Sequence, residues 1–242
     1  MDIPLYYIAF RRNSIVEEHY RKHGFKYVYH FPAVNGRKLS IKKMIDDGIL
    51  SIRSQDDLKY GRSEHSGLPS LGAVGCTLSH FELWTMCVNR NMPYIIIAEE
   101  DNRMKRKLTS DDLTFIHETI TQMYGVFISS RISITGKNKT KVRFFGTHFY
   151  IANQNACRRL AENTFPISVQ TDWYMSDLAT RNYIQLRGRV LSDQKHDYFW
   201  QTSIQDLCIT CWLPRNKWFY IIFILWLIIM FISLHKRQKY IN

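Results

Sequence analysis

What the chain lacks narrows it first. Its five cysteines, at 76, 87, 157, 208 and 211, are too few and too scattered for the framework of a small disulfide-stapled secreted domain. Residues 1–212 contain no internal repeat and no low-complexity linker. Although the formal net charge is +12, no dense Lys/Arg run is present, so no nucleic-acid partner is expected. The opening MDIPLYYIAF carries Asp2 and no basic residue ahead of its short apolar run, which is unlike a secretory signal. Acids are missing altogether from residues 213–242, where Arg215, Lys217, Lys236, Arg237 and Lys239 lie. Setting those five aside leaves 28 bases against 21 acids, or +7, for residues 1–212. That balance favours phosphates or anionic surfaces.

What is present is a globular composition. With 242 residues, 45% of them hydrophobic, the chain can bury a core without disulfides. The longest uncharged run is Trp218–Leu234, WFYIIFILWLIIMFISL. As a helix it would rise about 25 Å, within the lower range for a membrane span. Trp218 and Tyr220 sit at one edge, where amphipathic rings favour the interface. Lys217 and Arg215 before it, with Lys236 and Arg237 after it, can reach the headgroups. The expected organisation is a body over 1–212 and a single-pass anchor with a short basic tail over 213–242. Bases on both flanks leave open which side of the membrane the body faces. Cys208-x-x-Cys211 has no second cysteine pair to complete a zinc site.

Within the body, short apolar runs alternate with helix-like stretches, which predicts an α/β sheet. Leu5–Ala9 and Tyr27–Phe31 read as strands, with an amphipathic Ile15–His23 between them. Residues 51–70 read as a polar loop or flap. Leu78, Phe81, Trp84 and Val88 give Thr77–Arg90 helical spacing, with Ser79 and Glu82 at capping-box separation. Tyr94–Ala98, YIIIA, is apolar at every position, as a strand buried on both faces would be.

Glu99, Glu100 and Asp101 follow directly. Ligands of open α/β sheets bind beyond the carboxyl ends of the strands. Adjacent carboxylates repel one another unless a cation compensates, and such oxygen donors suit Mg²⁺ or Mn²⁺. A solvated turn after the strand is the alternative.

Three stretches carry a resemblance. Gly72-Ala-Val-Gly-Cys-Thr-Leu-Ser-His80, a helix, and YIIIAEEDN to Asn102 resemble glycosyltransferase family 25. Gly146-Thr-His-Phe-Tyr150 through Pro166 to Asp172-Trp173 is similar to a second family segment. YYIAFRR at 6–12 and FPAVNGRKL at 31–39 are similar to its opening strand and turn. The resemblance covers roughly residues 3–205. It implies a GT-A fold, Rossmann-like in its nucleotide-sugar half, and an inverting transfer of galactose or glucose from a UDP-sugar to a glycan, lipid-linked or protein acceptor. Glu99 and Asp101 match the outer acids of the family's Glu-Asp-Asp signature, implying Mn²⁺ or Mg²⁺ on the diphosphate. Donor contacts are expected at Ala33, Asn35, Gly36, Arg37, Gly75, Glu99, Glu100 and His148. Glu100 and Asn35 depart from the family's Asp at each position. Those departures motivate a rival reading: a catalytically silent, membrane-anchored carbohydrate-binding or structural protein on the same scaffold.

The chemistry has its own requirements. Inversion needs a base for the acceptor hydroxyl proton, and Asp172 is the candidate; its alternative is a cap for the helix after it. Arg11, Arg12 and Arg37 would add charge-assisted bonds if near the phosphates. His80 and His148 are candidate ligand contacts or hydrogen-bonded structural groups, and Cys76 reads as a small packing residue.

Overall fold

Turn residues and caps divide the chain into elements much as the pattern predicts. The computed structural model describes residues 2–62, 64–136, 140–194 and 222–230. In chain order they form β1 (Leu5–Ala9), α1 (Ser14–Lys22), β2 (Val28–Pro32), a 3-10 turn at Gly36–Lys38, α2 (Ile41–Asp46), α3 (Ile52–Tyr60), α4 (Leu71–Asn89) and β3 (Tyr94–Glu99). There follow β4 (Asn102–Met104), α5 (Ser110–Ile120), β5 (Gly125–Ile128), β6 (Ser133–Thr135), β7 (Lys141–Arg143) and β8 (Phe149–Asn153). Last come α6 (Gln154–Glu162), α7 (Thr171–Thr180), β9 (Gln185–Gly188) and β10 (Ser192–Gln194).

The expected α/β class is borne out. A six-stranded sheet runs β2-β1-β3-β8-β5-β9, with β4 and β10 forming one small ribbon and β6 and β7 another. β1 is parallel to β2 and β3, whereas β8 runs antiparallel to both of its neighbours, β3 and β5. Both faces of β3 are covered, which is why YIIIA shows no alternation. Ile95 and Ile97 join Leu83, Trp84, Leu160 and Met175 on the face covered by α4, α6 and α7. Ile96 and Ala98 join Val16, Tyr20, Ile116 and Phe149 on the α1 and α5 face. Burying a side chain of this size contributes about 1.5–3 kcal/mol, so β3 anchors the fold as well as presenting its carboxyl end.

Two expectations need correction. The stretch over 51–70 is not one loop, because α3 occupies Ile52–Tyr60. Its apolar residues are too few to set a helical period. The helix instead rests on polar bonds: Ser51 accepts from the Ser54 N–H at 3.2 Å, Ser54 Oγ donates to the Ile167 carbonyl at 2.6 Å, and Asp57 accepts from the Leu68 N–H at 3.0 Å. Helix α4 starts at Leu71, so Ser79 and Glu82 lie inside it and form no capping box. Ser79 Oγ donates back to the Gly75 carbonyl at 2.8 Å.

Most of Trp218–Leu234 lies outside the described residues. Within it, 222–230 is helical with exposed apolar side chains. Nine residues rise about 14 Å, and among the described residues no helix is long and apolar enough to cross a membrane. Cys208 and Cys211 also lie outside the described residues.

Candidate active site

Side-chain alternation at the end of β3 separates the acids. Glu99 continues the Ile95–Ile97 side, toward α4. Its Oε1 accepts from Thr147 Oγ1 at 2.7 Å and lies 3.7 Å from His80 Nε2. Burial disfavours its charge, yet the His80 ring and the Thr147 hydroxyl together hold Glu99 below the usual carboxylate range. Glu100 turns the other way. Its Oε1 accepts from Asn13 Nδ2 at 3.0 Å, and Asn13 in turn caps α1 through the Ile15 N–H. The middle acid therefore ties β3 to α1 and stands apart from the Glu99 cluster.

Asp101 is pushed up to about 7, first by burial and then by the charge of Glu99. Its Oδ2 accepts a long bond from Gln194 Nε2 at 3.4 Å. Its Oδ1 is buried with no hydrogen-bond partner among the described residues. A buried acceptor left open, beside a second carboxylate, marks a pair short of positive charge. Two hard oxygen donors of this kind fit Mg²⁺ or Mn²⁺.

Fully buried His80 is aimed by a relay from behind. Trp84 Nε1 donates to Tyr150 Oη at 2.8 Å, and Tyr150 Oη lies 2.8 Å from His80 Nδ1. His80 Nε2 thus faces Glu99, again without a hydrogen-bond partner among the described residues. His148 is 9% exposed. Burial lowers its proton affinity, and its Nδ1 is likewise unpartnered among the described residues. Its carbonyl accepts from the Glu99 N–H at 2.9 Å, so β8 brings His148 to the site through the β3 ladder.

Asp172 is the second residue of α7. The helix has Gln170 at its N-cap with no side-chain capping bond, so Asp172 is not the cap itself. Its Oδ1 accepts from the Trp173 N–H at 2.8 Å and its Oδ2 from the Gly146 N–H at 3.1 Å. Burial raises its proton affinity, and Glu99 is close enough to add to the rise. Neighbouring Trp173 carries the Arg143 guanidinium over its ring at 4.7 Å.

The expected donor contacts on the 33–37 turn fall into two sets. Asn35 caps the 3-10 turn, accepting from the Arg37 N–H at 3.0 Å. Ala33 donates its N–H to the Ala9 carbonyl at 2.9 Å, while the Arg37 side chain is exposed. Gly36 and Gly75 serve close packing of this turn on α4. A Cβ on Gly75 would lie 2.5 Å from the Val34 carbonyl oxygen, and one on Gly36 would meet the Leu71 carbonyl. The Val34 N–H donates to Ser79 Oγ at 2.9 Å. Arg12 is committed elsewhere: its Nε and Nη2 donate to Glu17 at 2.7 and 3.1 Å.

Thr147 and Tyr150 are the residues that sequence reasoning passed over. Both lie in the Gly146–Tyr150 stretch, and the signal was register: Ala98 pairs with Phe149, which brings residues 147–150 to the carboxyl end of β3.

The family model for glycosyltransferase family 25, described as an LPS biosynthesis protein, matches residues 8–175. The chain belongs to glycosyltransferase family 25. Glu99, Asp101, His148 and Asp172 all fall inside the matched segment. A glycosyltransferase 25 family member of Drosophila melanogaster is 32% identical over 76 residues, covering 31% of this chain and 12% of that protein. One from Anopheles gambiae is 36% identical over 78 residues, covering 32% and 12%. The lipooligosaccharide biosynthesis protein lex-1 of Haemophilus influenzae is 29% identical over 118 residues, covering 41% and 39%. The chain thus spans about an eighth of the length of the insect relatives.

Proposed function

We propose that this family-25 chain is a glycosyltransferase of GT-A type that moves a hexose, galactose or glucose, from a UDP-sugar to an acceptor hydroxyl with inversion. The observation that carries the reading is the grouping of Glu99, Asp101 and Asp172 around one strand end. Each is partly buried, and among the described residues neither of the first two accepts a hydrogen bond from a lysine or an arginine. Glu99 and Asp101 would hold a divalent ion on the diphosphate, where it supplies neutralisation of the leaving group's charge. Asp172, with its proton affinity raised by burial, takes the proton of the acceptor hydroxyl as that oxygen attacks the anomeric carbon. The Gly146 and Trp173 N–H groups orient its carboxylate, and Thr147 orients Glu99.

The departures from the family signature do not favour the silent-scaffold alternative. Glu100 bonds Asn13 and Asn35 caps its own turn, so neither side chain bonds Glu99, and Glu100 adds only a minor charge effect at Asp101. Incubation with UDP-galactose or UDP-glucose and Mn²⁺ should release UDP in the presence of a hydroxyl acceptor. Binding of UDP that is the same with and without Mn²⁺ would sink the metal assignment.

The proposal includes a single C-terminal anchor over Trp218–Leu234. Its support is the uncharged run itself and the exposed apolar helix at 222–230. Resistance of the full chain to extraction by high salt is the expected result. Release by salt alone would mean that only electrostatic contact holds it to the membrane.

A further inference from the structure

Next to the carboxylate pair lies a donor set of different chemistry. Cys76 and His80 are four residues apart on α4 and so share one helix face. That face meets the end of β3, where Glu99 emerges. One ligand atom each from Cys76, His80 and Glu99 lie within 4.8 Å of one another. Ligands of a tetrahedral zinc, at about 2.0–2.3 Å from the metal, stand about 3.3–3.7 Å apart. The His80 Nε2 to Glu99 Oε1 separation of 3.7 Å is therefore too long for a hydrogen bond yet within a few tenths of an ångström of that of two zinc ligands. His80 is fully buried and its Nε2 has no partner among the described residues. Its other nitrogen is held by Tyr150 at 2.8 Å, the kind of outer contact that fixes a ligating imidazole. Cys76 is partly exposed as a residue, while burial of its thiol raises its proton affinity well above the usual range, so a bound ion must displace that proton.

We propose that Cys76, His80 and Glu99 form a binding site for Zn²⁺, distinct in chemistry from the oxygen-only pair Glu99 and Asp101. Thiolate and imidazole select zinc over Mg²⁺ and Mn²⁺, and the thiol proton leaves to solvent on binding. Glu99 belongs to both sets. On the glycosyltransferase reading, zinc at this site withdraws Glu99 from the diphosphate metal, so zinc opposes Mn²⁺.

Co²⁺ is the probe, because thiolate-bound cobalt has a near-ultraviolet charge-transfer band. The full-length reduced chain should develop that band on Co²⁺ titration and lose it on Zn²⁺ addition. Cys76→Ser should abolish it, whereas the double change Cys208→Ser with Cys211→Ser should retain it. Tyr150→Phe should weaken Co²⁺ binding about tenfold. A wild-type chain without the band, or a band that survives Cys76→Ser, overturns the site. Zinc protection of Cys76 from alkylation, read by mass spectrometry on the unmodified chain, tests the same ligand without a variant; no protection overturns the site. Zinc should also raise the Mn²⁺ concentration needed for UDP binding in the wild type but not in Cys76→Ser. If zinc leaves the Mn²⁺ dependence unchanged, the shared use of Glu99 is wrong. If UDP does not bind with Mn²⁺ at all, the glycosyltransferase reading fails while the cobalt band still decides the zinc site.

Discussion

Asp112 and Asp101 are both carboxylates largely withdrawn from water, and the chain treats them in opposite ways. Asp112, at the start of α5, is fully buried. It receives Arg106, Arg189 at 3.0 Å, and the Thr109 N–H and hydroxyl at 2.9 Å each. Those bonds, led by Arg106, hold it well below the usual carboxylate range. Glu17 is similar: Arg12, Arg21 and Tyr7 surround it and bring it down to about 2. Asp101 meets a long bond from Gln194 and a neighbouring negative charge, and rises to about 7. Carboxylates that hold the fold are saturated and acidic, while Asp101, beyond the strand end, is left short of partners. Perturbation of the second kind is what a functional site requires.

The largest effect is expected at Asp172. Asp172→Asn should cut transfer about 10²–10⁴-fold, because the general base is lost in the transition state. UDP-sugar affinity should stay put. The amide cannot accept from both Gly146 and Trp173, so about 1 kcal/mol of stability goes, shifting the midpoint by about 2–4 °C. Turnover per folded molecule near the wild-type level would make Asp172 only a stabiliser of α7.

Asp112→Ala should do the reverse. It removes a capping box and the bonds from two arginines, at a cost of about 3 kcal/mol. The midpoint should fall by about 6–12 °C, with UDP affinity of the folded protein unchanged. Reduced UDP affinity at a temperature where the variant is folded would contradict the division of labour.

A smaller effect separates the two kinds of acid directly. Asp101→Asn should remove the Mn²⁺ enhancement of UDP binding while leaving stability unchanged or raised by about 1 kcal/mol, since it deletes a poorly compensated buried charge. A lower midpoint would show that Asp101 belongs with Asp112.

How much of this was legible depended on what carried each element. β1, α1, β2 and β3 show apolar patterns, and the sequence reading placed each within a residue or two at either end. Helix α3 was illegible because Ser51, Ser54 and Asp57 hold it through distant backbone partners, Ile167 and Leu68. Within the site, Glu99 and Asp101 stand out as charges after an apolar run. The split of Glu99 from Glu100 follows from strand alternation alone. Thr147, Tyr150 and the Cys76 contact depend on the β3–β8 register and on the approach of α4, which local pattern does not encode. Gly75 was expected among the donor contacts, and what crowds it is the backbone of Val34 and Gly36, a contact that local pattern does not encode.

The last effect is the smallest and concerns acid stability. Glu17 stays ionised to about pH 2. Its folded value lies below its unfolded one, so its contribution is present above about pH 4.5 and is lost only as pH falls toward 2. The saturated carboxylates are therefore not the first groups to fail on acidification. His19 is. Burial, then the nearby His23, lowers it to about 4. In its neutral form Nε2 accepts the Met104 N–H at 2.9 Å, which ties β4 to α1. A histidine whose folded value is depressed keeps its contribution above the unfolded value near 6.5 and loses it as pH falls through that value toward 4. Between pH 7 and pH 5 full linkage gives about 2 kcal/mol, which partial exposure of the ring reduces to about 1 kcal/mol. His19→Gln can still accept the Met104 N–H through its amide oxygen, and should flatten that slope while lowering stability at pH 7 only slightly. Denaturant midpoints of both proteins at pH 7, 6 and 5 provide the check, and parallel slopes would show that His19 is not the group responsible.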